Sequence, residues 1–364
     1  MSAHFTIRLG TRLAIGHGRC FLGWTGLGRW LILFWVSIGV EPAVWPLHSE
    51  ETNQLFHFGL SNRLMPEVND DDANAAMKVW AESIVQKGVV RADTKVLIFT
   101  NLAHLSNTLC RQVVDGVSVS TTEFVAVRQE VASNHLVFSV IGGDIYEEYV
   151  LLVRIGSPIV KAKDLKSHSL NVLRQSRTCL APMWLDEILL ESGEGPANEI
   201  CGRINEETKL TQAVLPVFFG KVDACLATKK GFATMCELNP QLGHELRLVA
   251  VSPKLIPSVF IFRNGYPELQ QQHILDELTH AHLTATGQQI LTVFQTERLE
   301  EQPLTVLDGT GKFLTQYRQL VDRRRAQKTL LDGSGSPAVS GGNSPVADSN
   351  AAPLANQEPN SHLP

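Results

Sequence analysis

Two short segments carry hydroxyl side chains at the start of what reads as a helix: Ser120-Thr121-Thr122, after a strand-like run, and Ser176-Arg177-Thr178, just before Pro182 opens a second helix. The first turn of a helix presents unpaired backbone N–H groups and about half a positive charge, so small hydroxyl residues there can complete a site for an oxyanion. Arg177 adds a planar fork that can hold two oxygens at once. Facing one another, the two loops would grip a small anion from both sides. Each also has a plainer reading, since Ser and Thr are ordinary helix caps and an arginine is commonly a solvated surface charge. Asp223 ends a Gly-Lys-Val-Asp turn before a strand. Its carboxylate could accept a hydrogen bond from a protonated oxyanion, or simply cap the turn. Glu123, beside the first hydroxyl cluster, weighs against a strongly anionic ligand unless it points away or takes a proton from the ligand.

Catalysis is the competing chemistry. His57, His104, His135, His168, His244, His273, His280 and His282 could each supply a base. The sequence contains no G-x-S-x-G elbow, no H-E-x-x-H and no phosphate-binding P-loop. His280 and His282 lie two apart on a helical stretch and so point to different faces. A partner-binding protein with no small ligand is the third class. Of six cysteines, Cys20 lies in the N-terminal leader; Cys110, Cys179, Cys201, Cys225 and Cys236 remain, and none has the C-x-x-C spacing of a zinc site. Disulfides among the last four and buried free thiols both stay open. No metal and no cofactor is expected.

The 364 residues, 44% hydrophobic and 19% charged, can bury the core of a two-lobed body. A formal charge of -5 with scattered basic residues argues against nucleic acid as a partner. Arg8, Arg12, Arg19 and Arg29 precede the first acidic residue, Glu41, and Trp30 to Val40 is an apolar run. That is the layout of a signal peptide, with Ser37-Ile38-Gly39 the nearest cleavage site. Residues 1–50 are therefore read as a signal peptide or uncleaved anchor. The expectation is an exported, periplasmic protein, monomeric, touching the membrane only through that segment.

From Leu55 onward strand and helix patterns alternate. Strands are expected at 55–61, 96–99, 117–120, 136–141, 149–155, 170–173, 222–227, 246–251 and 259–262. Helices are expected from Ala73, at 101–112, from Thr121, from Pro182, at 210–219 with a break at Pro216, from Pro267 and from Ala285. The class is α/β. The end, dominated by Gly, Ser, Pro, Asn and Ala, is expected to form a disordered tail over 326–364.

Taken together, the leader, the helix from Asp71 to Trp80, Ser120-Thr121-Thr122-Glu123-Phe124, Asp164-Leu165-Lys166, Gly220-Lys221-Val222-Asp223-Ala224 and Leu238-Asn239-Pro240-Gln241-Leu242-Gly243 resemble the phosphate/phosphite/phosphonate class of periplasmic binding proteins. The resemblance covers roughly residues 55 to 320. It implies the two-lobed, type 2 periplasmic binding protein fold with a two-stranded hinge, lobe one at 51–155 and 250–325 and lobe two at 156–249. It implies a receptor that closes on phosphate, phosphite or a phosphonate and serves an ABC importer's permease or a membrane sensor. It places Asp223 near the cleft and Phe124 where relatives offer an aromatic; Ser61 and Ser252 are further ligand candidates. The Ser-rich, Gly-containing ligand loop of phosphonate binders is replaced by Ser176-Arg177-Thr178-Cys179-Leu180, which leaves the ligand open.

Overall fold

Valines at 117 and 119 alternate with Gly116, Ser118 and Ser120, and that period-two pattern builds a strand with two different faces. In the computed structural model, which describes residues 55–66, 69–86, 91–93 and 96–333, this strand lies inside the larger of two main sheets. The expected leader, and the tail beyond residue 333, lie outside the described residues. The first lobe runs β1 (Leu55–Phe56), β2 (Phe58–Ser61), α1 (Asp70–Gln86), β3 (Arg91–Ala92), β4 (Leu97–Phe99), α2 (Leu102–Cys110), β5 (Gly116–Ser120), α3 (Thr121–Ala126) and β6 (Val131–Val140). The chain then crosses to the second lobe: β7 (Tyr149–Arg154), β8 (Ser169–Leu173), α4 (Ala181–Glu191), α5 (Ala197–Ile200), β9 (Arg203–Glu207), α6 (Leu210–Phe218), β10 (Ala224–Thr228), α7 (Lys229–Leu238), α8 (Pro240–Glu245) and β11 (Leu246–Val251). It returns through β12 (Ser258–Arg263), α9 (Glu268–His280), α10 (Ala285–Val293), β13 (Arg298–Gln302) and α11 (Asp308–Gly333).

The sheet orders are β13-β6-β12-β5-β2-β4 in lobe one and β11-β7-β10-β8-β9 in lobe two, with β1 and β3 a small separate pair. Strands joined by helices pair in parallel (β2 with β4 and β5, β8 with β9 and β10). Those flanking the crossings, β6, β7, β11 and β12, pair antiparallel. Both faces of each sheet are covered. In lobe one, Phe58, Trp80 and Phe260 pack on one face, and Phe99, Val117 and Phe138 on the other. Gly116 is required where it stands, because a Cβ there would meet the Phe260 and Phe56 rings at 2.7 and 2.8 Å. Helix α1 starts where Asn69 accepts a hydrogen bond from the Asp72 N–H at 2.8 Å, and it buries Ala73, Ala76 and Trp80.

Four elements show most clearly where the structure departs from the sequence expectation. Helix α6 runs unbroken through Pro216. Proline has no N–H to offer the Gln212 carbonyl, and the Asn171 side-chain amide donates there instead at 3.3 Å. Strands β9 (RINEE) and β13 (RLEEQ) are edge strands rich in charge. Their polar sequence is what protects an exposed edge, and it hides them from an apolar pattern. Helix α11 continues through 326–333, where a disordered tail was expected, and it packs along α4 of lobe two, although its residues were assigned to lobe one. Phe313 and Leu314 join the buried cluster that contains Trp184 and Leu185, and Arg324 bonds Glu199 at 2.6 Å and the Glu194 carbonyl at 3.0 Å.

A polar knot ties the lobe-one sheet together. One Asp115 oxygen accepts from the His57 N–H at 2.9 Å and meets its Nδ1 at 3.1 Å; the other accepts from Arg263 Nε at 2.9 Å. Asp115 and Arg263 are 1% and 3% exposed, so this is a buried ion pair spanning the ends of β2, β5 and β12.

His135 on β6 is held between two carboxylates, Glu301 of β13 at 2.5 Å and Glu268 of α9 at 2.7 Å. Partial burial opposes its charge, but the hydrogen bonds and charges of Glu301 and Glu268 outweigh that and raise its pKa above 6.5. A raised folded-state pKa means stabilisation that is complete below the unfolded value and lost as pH climbs through the folded value. Urea midpoints of the native protein are expected to fall over that window relative to those of His135→Gln. Parallel pH profiles would show that the histidine contributes nothing.

Candidate ligand-binding site

The two lobes meet at the crossings. Glu147 and Leu255 form an isolated antiparallel bridge, with N–H···O distances of 2.7 and 2.9 Å. Beside it Ser252 donates its N–H to the Tyr149 carbonyl at 2.8 Å and accepts the Tyr149 N–H on its hydroxyl at 2.7 Å. This is a two-stranded hinge, at 147 and 255 rather than at the expected 155 and 250. Ser252 is 4% exposed and spends its hydroxyl on this pairing and on the Pro253 carbonyl at 2.7 Å, so it staples the hinge.

The end of β2 and the start of α3 place Ser61, Ser120, Thr122 and Glu123 together on the lobe-one side. Ser61 donates to Glu123 Oε1 at 2.8 Å; the Ser120 hydroxyl and N–H both donate to Oε2, at 2.7 and 2.9 Å; the Ser120 and Thr122 hydroxyls are 2.8 Å apart. Ser120 and Glu123 form a complete capping box. The hydroxyl cluster that reads as an anion site in sequence is thus filled by the chain's own carboxylate, 8% exposed, with Arg63 at 3.6 Å. Thr121 turns the other way and donates to the Ile256 carbonyl at 2.5 Å, tying α3 to the return crossing. Phe124 is 3% exposed in the lobe-one core beneath Arg128, 5.3 Å from its ring, and its outer edge lines a groove against α11, away from the hydroxyls.

On the lobe-two side Ser176, Arg177 and Thr178 form one turn of 3-10 helix. Thr178 is consumed locally: its hydroxyl accepts the Gln175 N–H at 2.7 Å and donates to the Leu173 carbonyl at 2.7 Å. Arg177 reaches across to lobe one. Its Nε donates to Glu147 at 2.7 Å, and its terminal nitrogens donate to the Ser139 and Tyr146 carbonyls at 3.4 and 3.3 Å. Both partners of this pair are nearly dry, the Arg177 and Glu147 side chains being 11% and 4% exposed, and Glu147 Oε1 has no partner among the described residues. Tyr149 donates its hydroxyl to the Arg177 carbonyl at 2.8 Å, and burial raises its pKa. Cys179 lies against the Pro257 carbonyl at 3.3 Å; burial and the charge of Glu123 push its thiol up to about 12, so it stays protonated at neutral pH. Cys110, Cys179, Cys201, Cys225 and Cys236 are all free.

Asp223 stands apart from this group. It precedes β10 at the end of that strand remote from the hinge: Ala224 pairs with Val153, whereas Thr228 at the other end pairs with Tyr149. Its carboxylate accepts from the Ser169 N–H at 2.8 Å and hydroxyl at 2.6 Å, and these bonds, with His168 at 3.5 Å, lower its pKa against partial burial. The turn-cap reading is the one this geometry fits. Glu147 and Tyr149 escaped the sequence reading, although Tyr146-Glu147-Glu148-Tyr149, an acidic pair between tyrosines at the mouth of an apolar strand, marks the crossing.

Two α/β lobes joined by two strands, with polar side chains converging on the seam, define the type 2 periplasmic binding protein fold. The family model for the periplasmic substrate-binding protein of phosphonate ABC transporters matches residues 64–303, and the chain belongs to that family. Its members are substrate-binding proteins of ABC transporters rather than enzymes, and they are periplasmic. Among solved structures, the chain is similar to XAC2383 from Xanthomonas citri bound to chloride (18% identity, 74% of this chain and 99% of that one, TM-score 0.52). It is also similar to a binding protein component of an ABC phosphonate transporter from Pseudomonas aeruginosa (13% identity, 77% and 94%, TM-score 0.50). No curated protein sequence matches it. Among the described residues no helix is long and apolar enough to cross a membrane, and no cluster of three or more His, Cys, Asp or Glu could hold a metal ion.

Proposed function

We propose that this protein is an exported receptor that captures a small phosphorus oxyanion between its lobes and presents the closed form to the permease of an ABC importer. The observation that carries this reading is Arg177, a lobe-two cation whose fork lies against lobe one through three separate contacts. Ser61, Ser120 and Thr122 on one side and Ser176 and Arg177 on the other are the ligand residues in this reading. Thr121, Thr178 and Ser252 shape the hinge and loops, Phe124 belongs to the core, and Asp223 is left as a turn cap. Ligand contacts to both lobes stabilise the closed state over the open one, which is what shifts the equilibrium.

Glu123 sets the charge of the ligand. A bare dianion would lie beside a buried carboxylate, and like charges brought together cost several kcal/mol. A monoanion that keeps a proton, or carries an ammonium group, can give Glu123 a hydrogen bond instead. A thermal shift screen with phosphate, phosphite, methylphosphonate, 2-aminoethylphosphonate and sulfate is expected to show stabilisation by the protonated oxyanions and none by sulfate. Glu123→Gln should bind phosphate at least about tenfold more tightly than the native protein. If no phosphorus oxyanion raises the melting temperature of either form, the oxyanion reading is wrong.

A further inference from the structure

Beneath the cleft, inside lobe one, lies a cavity of about 120 Å³ that no element of the fold fills. Its deep end is apolar, formed by Phe58, Trp80 and Phe260, with Phe58 stacked on Phe260 at 5.9 Å between ring centres. Towards the cleft it is polar: Ser139 and Ser258 project from β6 and β12, and Ser176 and Arg177 of lobe two form the roof, while Ser118 of β5 pairs with Phe260 and stands beside the rings. The four serines are partly buried, and none of their hydroxyls is hydrogen-bonded to another described residue. Ser258 pairs with Ser120 in the sheet, and Arg177 donates to the Ser139 carbonyl, so the polar end adjoins the cleft hydroxyls.

We infer that the ligand carries a compact apolar group, of phenyl or isobutyl size, that enters this cavity while its acid head stays among the serines and Arg177. Three features converge on that arrangement. A void walled by aromatic and aliphatic side chains weakens a core unless something occupies it, and one of about this size accepts a benzene ring. The unengaged hydroxyls of Ser139, Ser176 and Ser258 gather towards the cleft and give donors for an acid group, while the cavity beyond them is walled mainly by rings and aliphatic side chains. The roof belongs to the opposite lobe, so the cavity can be entered when the lobes part and is sealed when Arg177 returns. A methyl group would leave the deep end empty. The inference rests on the receptor reading above and specifies its substrate class: an organophosphonate with an apolar substituent, bound as the monoanion.

Calorimetric titration of the purified protein with phenylphosphonate and methylphosphonate tests it. Phenylphosphonate is expected to bind at least about tenfold more tightly, since each fitted apolar increment in a closed pocket is worth that order of discrimination, and with a more negative heat-capacity change. Ala281→Leu projects new volume into the cavity from its helical wall and should bring the affinity ratio of the two ligands towards one. Methylphosphonate binding as tightly as phenylphosphonate, or equal heat-capacity changes, would overturn the inference and leave the receptor reading standing. Binding of neither ligand overturns the inference, and the receptor reading then falls only if the thermal shift screen with phosphate, phosphite and 2-aminoethylphosphonate is negative as well. The heat-capacity comparison needs only the native protein, so the test survives a variant that fails to fold.

Discussion

Asp115→Ala is expected to destabilise the protein by about 3–5 kcal/mol, the cost of leaving one member of a buried ion pair without its partner. Arg263 would keep its charge at 3% exposure with only the Asn264 carbonyl at 3.2 Å and the Tyr266 ring at 5.3 Å for company, and the His57 N–H would lose its acceptor. The loss should appear as a lower urea midpoint with little change in slope, because the folded surface is otherwise the same. Pairing Asp115→Leu with Arg263→Met removes both charges and should restore most of the stability, since apolar replacements for buried ion pairs are often neutral or better. A drop under about 1 kcal/mol for the single alanine variant would mean that water reaches Arg263.

Arg177→Ala should act on lobe closure rather than on the fold. Without the guanidinium, Glu147 is left 4% exposed with neither oxygen paired, and it regains solvent only if the lobes separate. The closed form is expected to lose about 2–5 kcal/mol, the usual consequence of truncating one side of a buried charge pair. Solution scattering should therefore show a larger radius of gyration, and the affinity for any ligand held by both lobes should fall roughly thirtyfold or more. Arg177→Lys should fall between the two, because an ammonium can reach Glu147 but cannot span the Ser139 and Tyr146 carbonyls as well. An unchanged scattering profile with full binding would show that Arg177 does not hold the lobes together.

Much of this was readable from the residues. The strand at 117–120, the helix from Ala73 and the helix from Thr121 each form as expected, because in each case short-range chemistry and tertiary packing agree. The hinge position was less legible: Tyr149 to Arg154 reads as one apolar strand whichever lobe owns it, and only the Glu147–Leu255 bridge fixes the border. Of the candidate site, the sequence offered the hydroxyl clusters but not the groups they bond. Spacing alone does not reveal that Glu123 folds back onto Ser61 and Ser120, or that Arg177 finds Glu147 across the seam, since both contacts depend on how distant elements dock. Asp223 misled for the opposite reason. A carboxylate after a Gly turn looks the same at either end of a strand, and only the direction of β10 against β7 places it at the far end. Helix α11 was missed because Thr310, Phe313 and Leu314 are its few buried residues, too short a stripe to read as amphipathic.

That helix alters how the protein can flex. Beyond the two hinge strands, α11 forms a third tether, anchored by Thr310, which accepts the Ile256 N–H at 2.9 Å, and clamped to α4 and α5 by Phe313, Leu314 and Arg324. A body with three tethers rolls about a line more readily than it gapes, so the swing should concentrate in the short turn from Leu304 to Leu307 just ahead of the helix. Dyes placed on α10 and on the outer face of α11 would then ride on opposite lobes, and their separation would serve as an optical gauge of solute capture.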